Sequence, residues 1–472
     1  MGTSTIKVSQ RNRITPNWIV PMRFQPDILL PDPQTRTQIL AVLEAALAAV
    51  DPYAAVAALL RCEADTLIIG EQRYDLGRVR RIFVLGAGKA GAPMAQAVEA
   101  VLGEQITDGL VVVKTGHGAP TRWVEITEAS HPLPDQAGIG AGRRLLALAQ
   151  AAGPDDLVIA LLSGGGSALL EAPAGDLTLA DFQGMTGALL ACGATINEIN
   201  CLRKHCSAVK GGQLARAVAP ATLVTLVLSD VVGSPLDVIA SGPTVPDTST
   251  WQDAWAIVEK YDLAERLPGA IVRRLRAGLA GEIPDTPKPD DPAFAQSHTL
   301  IVADNRVAAE AACAKAREVG FQPLLLTTYL EGEASTVAQV AVALAKEVQA
   351  SGLPVAAPAC LILGGETTVT LSANPGRGGR NQALALAAAL ALQGTTGITI
   401  ASLATDGSDG PTDSAGGLAD GGTVARGRAQ GLDAQDHLRR HDAYPFLQAT
   451  HDLLVTGPTQ TNVNDLVFIF VV

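Results

Sequence analysis

Short runs of branched apolar residues alternate with longer Ala- and Leu-rich segments along most of the chain. The runs Arg81–Leu85, Leu110–Lys114, Leu157–Leu162 and Leu223–Ser229 read as strands. So do His298–Ala303, Gln322–Thr327, Cys360–Leu363, Thr367–Leu371, Ile398–Leu403 and Leu466–Val472. Between them, Gly91–Leu102, Gly138–Ala151, Val307–Val319 and Asn381–Leu392 have helical composition. Apolar runs of this kind, separated by helices, mark parallel sheets covered on both faces. The expected fold is therefore α/β, with two α/β/α domains and mainly parallel sheets. Val467–Val472 is apolar at every position, so it is expected as a strand buried on both sides.

The segment Gly281–Gln296 carries four prolines and no apolar run, which makes it the best boundary. It separates an N-terminal Rossmann-like unit, 35–288, from a C-terminal α/β unit, 297–472. Residues 1–34 are polar and dotted with prolines and are expected as an N-terminal arm. They lack the basic start and apolar centre of a secretory signal.

Composition narrows the function. The chain has 472 residues, too many for one hydrophobic core, and 47% of them are hydrophobic, which excludes global disorder. Thirty-five basic residues against 47 acidic ones give a net charge of -12, which argues against a nucleic acid or an anionic membrane as partner. No apolar run reaches the ~18 residues of a membrane-spanning helix. Six cysteines without a C-x-x-C pair fit neither a disulfide scaffold nor a zinc site, and point to the reducing cytoplasm. A small acidic molecule drawn to local cations remains as the partner.

Glycines cluster where the expected strands end, and there backbone amides approach an anion closely. Gly86-Ala87-Gly88-Lys89-Ala90-Gly91 satisfies the G-x-G-x-x-G fingerprint, yet the next strand ends in Lys114 rather than in the acid that holds a ribose. The same cluster fails as a Walker loop, and a tight turn with a solvated Lys89 is the bland reading. Ser163-Gly164-Gly165-Gly166-Ser167 makes a candidate nest for carboxylate or phosphate oxygens. Gly376-Arg377-Gly378-Gly379-Arg380-Asn381 runs into a helix, combining a guanidinium fork with free amides. Asp406, Asp409 and Asp413 share one loop and are candidates to hold Mg2+ or to act as a base. Asp230, and Glu366 after Gly364-Gly365, are further acids at strand ends, where open α/β sheets bind ligands. His117 and His131 follow strands and read as hydrogen-bonding fixtures. No G-x-S-x-G elbow is present, which disfavours Ser-His-Asp hydrolysis. Phosphoryl transfer uses this mix of amide nests, cations and acids.

These segments, together with Asn197–Asn200, Arg203–His205, Val209–Gly212, Leu228–Gly233, Ser241–Thr244, Gly364–Thr368, Thr405–Gly407 and Thr456–Thr459, resemble the glycerate 2-kinases of the MOFRL type. Many members of that family are labelled hydroxypyruvate reductase. The resemblance covers about Thr35 to the end. It implies ATP-dependent phosphorylation of D-glycerate to 2-phosphoglycerate with Mg2+ or another divalent cation, in a cleft between two α/β domains. It places the catalytic lysine on Lys89 and the active-site arginine on Arg380.

The expected roles follow from the resemblance and the loops together. Lys89, Arg380 and Asp230 are catalytic. Ser163, Gly164, Gly165, Gly166, Ser167 and Asn381 bind substrate. Gly86, Gly88, Gly364, Glu366, Gly378 and Gly379 bind nucleotide, and Asp406 and Asp409 bind the metal. Two positions depart from the family: Ser234 replaces an Asp and His451 replaces a Gly. The alternatives are an NAD(P)-dependent hydroxypyruvate reductase and a non-catalytic regulator that binds a phosphorylated ligand. The oligomeric state stays open, a homodimer included.

Overall fold

The computed structural model describes Phe24 and residues 32–472. The expected arm, 1–34, thus lies outside the described residues except at its end, where Asp32 caps the helix Pro33–Ala49 by accepting from the amide of Thr35 at 2.7 Å. Three short strands follow as an antiparallel meander: β1 (Leu60–Glu63), β2 (Thr66–Ile69) and β3 (Gln72–Asp75).

The first large sheet is built from β4 (Arg81–Ala87), β5 (Ile106–Lys114), β6 (Glu125–Ala129), β7 (Asp156–Leu162), β8 (Thr222–Leu228) and β9 (Ser297–Ala303). Its order is β6-β5-β4-β7-β8-β9 and every pairing is parallel, as the apolar runs require. β4 and β7 lie at its centre, and the loops at their carboxyl ends meet. This places the G-A-G-K and S-G-G-G-S segments side by side.

β9 corrects the expected boundary. Gly281–Gln296 packs on the first unit, where His205 contacts Asp285 at 3.1 Å and Arg216 pairs with Asp291 at 2.8 Å. The segment then delivers β9 to the edge beside β8, so the division between sheets falls after Ala303 rather than at 297. Helices 179–191, 196–206, 251–260 and 269–279 bury Phe182, Leu202, Trp251 and Leu275 in a satellite lobe of their own.

The second sheet contains β10 (Gln322–Glu333), β11 (Ala359–Thr368), β12 (Ile398–Ala404), β13 (Gly416–Asp420), β14 (Leu453–Leu454) and β15 (Asp465–Val471). Its order is β10-β11-β15-β12-β13-β14. Only β10 and β11 are parallel; the other four pairings are antiparallel, so the expected mainly parallel arrangement holds for the first sheet alone. The cause is β15, which inserts antiparallel between β11 and β12 and is buried at every position, as its unbroken apolar run demands. Thr367–Leu371 is not a separate strand, because β11 runs on to Thr368.

One hydrophobic core ties the sheets together. It joins Val84, Ile159 and Leu226 of the first sheet to Ile362, Leu403, Phe468 and Phe470 of the second. Leu43 and Leu47 of the helix Pro33–Ala49, and Ala309 and Ala312 of the helix Asn305–Glu318, fill the space between.

Candidate active site

The loops at the carboxyl ends of both sheets border one cleft of about 570 Å³. Lys89, Lys114 and His117 line one wall; Asp406, Ser408, Thr412, Asp413 and Thr461 line the other. Cations thus face carboxylates and hydroxyls. Neither Lys89 nor Lys114 forms an ion pair with another described residue.

Lys89 is fixed by its backbone. Its amide donates to the carbonyl of Gly164 at 2.9 Å, and the next amide, Ala90, donates to Ser163 Oγ at 3.1 Å. The backbone at Gly88 passes so close to Ser163 that a Cβ there would strike the serine hydroxyl. Gly86 lies inside β4, against the backbone of Leu161. Gly86 and Gly88 therefore let β4 and the loop after it pack closely on β7 and Ser163.

The S-G-G-G-S loop is likewise filled from within. Asp230, after β8, lies directly against Gly164; His131 and the Lys89 side chain lie against Gly165; Ala240 lies against Gly166. Ser163 is buried and bound to Ala90, and Ser167 Oγ shares a 2.9 Å hydrogen bond with Ser241. A carboxylate and an ammonium group, Asp230 and Lys89, thus both reach this loop.

The electrostatics of this seat are sharp. Burial pushes the Asp230 carboxyl up to about 6; Lys89 works against the shift and Glu366, from the other sheet, adds to it. Burial, with the charges of Lys89 and Lys114, drives His131 down to about 4. His117 is lowered too, first by burial, while its ring nitrogen contacts the carbonyl of Lys89 at 3.1 Å. Both imidazoles are neutral near pH 7, and the positive charge of this wall belongs to the lysines.

Arg380 opens the helix Arg380–Leu392. It pairs with Asp465 through two nitrogens, at 2.5 and 3.0 Å, and with Glu366 at 2.9 Å. Burial works against its charge, but the carboxylates of Asp465 and Glu366 outweigh it and hold the guanidinium more firmly protonated than usual. Arg380 does not line the cleft with Lys89. With Gly378 and Gly379 it borders a smaller cavity of about 220 Å³. Glu366 links the two regions, since it binds Arg380 and is felt by Asp230.

Two further assignments change. Asp409 is buried and caps the helix Arg380–Leu392: it accepts from the amides of Asn381 at 3.1 Å and Gln382 at 2.8 Å. Burial pushes its carboxyl up to about 6. Asn381 is buried, donates to the same carboxylate and accepts from Ser402 Oγ at 2.6 Å. The Asp409 carboxylate is thus taken up by these amides, although the residue also borders the cavity beside Arg380, and Asn381 lines neither that cavity nor the Lys89 cleft. The Asn305 side chain occupies the space beside Gly364. Asp406 does line the cleft, its Oδ1 accepting from Ser408 at 3.0 Å. Ser234 donates to Asp304 at 3.4 Å, and Asp237 pairs with Lys204 at 3.6 Å. His451 has φ +57°, the left-handed conformation that favours glycine. Sequence reading named Asp413 among the loop acids but missed Thr461 as lining and gave Lys114 no site role; only the position of Lys114 at a strand end signalled it.

Comparison with known proteins fits this geometry. Residues 38–276 match a domain of unknown function, DUF4147, and residues 359–465 match the MOFRL family. A protein of Agrobacterium vitis with the provisional name hydroxypyruvate reductase is 47% identical over 82% of this chain and 86% of its own length. Glycerate 2-kinase of Pyrococcus horikoshii is 39% identical over 90% of this chain and 95% of its own. The crystal structure of glycerate kinase from Thermotoga maritima superposes with a TM-score of 0.83 at 40% identity, covering 93% of this chain and 99% of that one. The chain belongs to the MOFRL-type glycerate kinase family.

Proposed function

We propose that this protein transfers the γ-phosphoryl group of ATP to the 2-hydroxyl of D-glycerate, giving 2-phosphoglycerate and ADP. The observation that carries this reading is the cleft itself, where Lys89, without an ion pair among the described residues, faces Asp406 between the ends of two sheets. Phosphoryl transfer has little covalent chemistry for a protein to perform and runs on positioning and charge neutralisation.

Lys89 neutralises the transferring phosphoryl group. Asp230, against Gly164 and near Lys89, is the base that accepts the hydroxyl proton, its carboxyl tuned toward the working pH. Lys114, on the same wall, receives the glycerate carboxylate in place of the filled glycine loop. Arg380, oriented by Asp465, reaches the nucleotide phosphates from the second sheet. A nucleotide-bound Mg2+ needs one or two protein carboxylates beside the phosphate oxygens. Asp406, with Asp413 and Thr412 on the same wall, offers hard oxygen donors of that kind, whereas Asp409 does not. The ion supplies charge neutralisation at the β- and γ-phosphate oxygens. The protein acts on a small molecule in the cytoplasm.

The reductase reading rests on the G-x-G-x-x-G match and on the label that many relatives carry, and the next strand, which ends in Lys114 rather than in an acid, counts against it. One experiment separates the two: ADP release with ATP and D-glycerate, against NAD(P)H oxidation with hydroxypyruvate. ADP release without reductant supports the kinase; NAD(P)H oxidation without ADP release overturns it.

A further inference from the structure

The cleft that holds Lys89 carries lysines, carboxylates and hydroxyls, which suit phosphates and glycerate. The cavity of about 220 Å³ beside Arg380 is the more apolar of the two. Leu371, Leu438 and Ala443 line it, together with Arg380, Asp409 and His441. It is below the ~300–1000 Å³ of sites that enclose drug-sized ligands, so it admits one flat ring and not a whole nucleotide.

Its walls are also pre-formed. The amide of Gly376 donates to the carbonyl of Arg440 at 2.8 Å, that of Arg377 to Asp442 Oδ1 at 2.9 Å, and that of Tyr444 to the carbonyl of Arg377 at 3.0 Å. The Arg377 guanidinium stacks over the Tyr444 ring at 3.8 Å, and the Tyr444 hydroxyl donates to Asp413 at 2.7 Å. A loop braced in this way keeps its shape without a ligand, which limits the ordering cost of binding. Polar connections lead out of the cavity: Arg380 binds Glu366, and Glu366 is felt by Asp230 beside Lys89.

We propose that this cavity beside Arg380 is the nucleobase subsite, with Leu371 and Leu438 against the faces of the purine ring and Arg380 meeting the phosphates at its exit. The assignment rests on the kinase reading for its ligand. Leu371 is 61% exposed, so substitution there leaves the core intact. In Leu371→Trp, ADP should quench the added indole and inorganic triphosphate should not, because only the former carries a ring. In Leu371→Asp, KM for ATP should rise roughly tenfold or more, the factor for each 1.4 kcal/mol lost, with KM for glycerate unchanged. An ADP-insensitive Leu371→Trp that still phosphorylates glycerate, or a Leu371→Asp whose KM rises for glycerate alone, would overturn the assignment. Quenching by ADP in a protein that makes no phosphoglycerate would retain the subsite and remove the kinase reading.

Discussion

Lys89, a candidate from its place in the sequence, lines the cleft for a reason that the sequence did not hold. Its place after an apolar strand and between glycines marked it in the sequence, but those glycines serve loop packing, with Gly88 against Ser163 and Gly164 against Asp230. A linear sequence shows where glycine occurs and not what fills the space beside it. The role of Lys89 has a direct consequence: Lys89→Ala should lower kcat by about 10²–10³-fold, the cost of removing one transition-state charge partner, with an unchanged thermal midpoint. Steady-state kinetics and a melting curve on the same sample measure both. As the proposed base, Asp230 would set the pH dependence. Its carboxyl, raised to about 6, must be ionised to accept a proton, so kcat should fall as pH drops through about 6. Asp230→Asn should lose most of its rate and that acid limb together. Lys114 is the corresponding test of substrate binding, since Lys114→Met should raise KM for glycerate far more than KM for ATP.

At the scale of elements, the apolar runs identified the strands of both large sheets except β6, β13 and the two-residue β14. Pairing direction was legible only where both strand faces and the intervening helices agreed. β15 reads as a buried strand from its composition alone, but nothing in Leu466–Val472 records that it enters antiparallel between β11 and β12. β9 was assigned to the wrong unit because a proline-rich segment resembles a linker whether or not it packs. The Asp406–Asp413 loop carries the clearest lesson. Spacing alone cannot tell a carboxylate that faces a cleft from one that closes a helix, and Asp409 is the second kind. Asp409→Ala should therefore destabilise the fold by about 1–3 kcal/mol for each amide left bare, at Asn381 and Gln382. Denaturant unfolding would show this whether or not Mg2+ is present. A loss that appears only with Mg2+ would restore Asp409 as a ligand.

The whole molecule joins these parts through one core. Phe468 and Phe470 of the second sheet share it with Val84 and Ile159 of the first, so the lysine wall and the Asp406 wall stand on a common base. Family membership and the opposed walls give the same answer for the reaction. Phosphorus NMR of ATP incubated with D-glycerate and the protein tests it most directly. A phosphate ester signal split into a doublet by one adjacent C–H proton would report transfer to the 2-hydroxyl, as this account predicts. A triplet, from a CH2 neighbour, or no new ester at all, would contradict it.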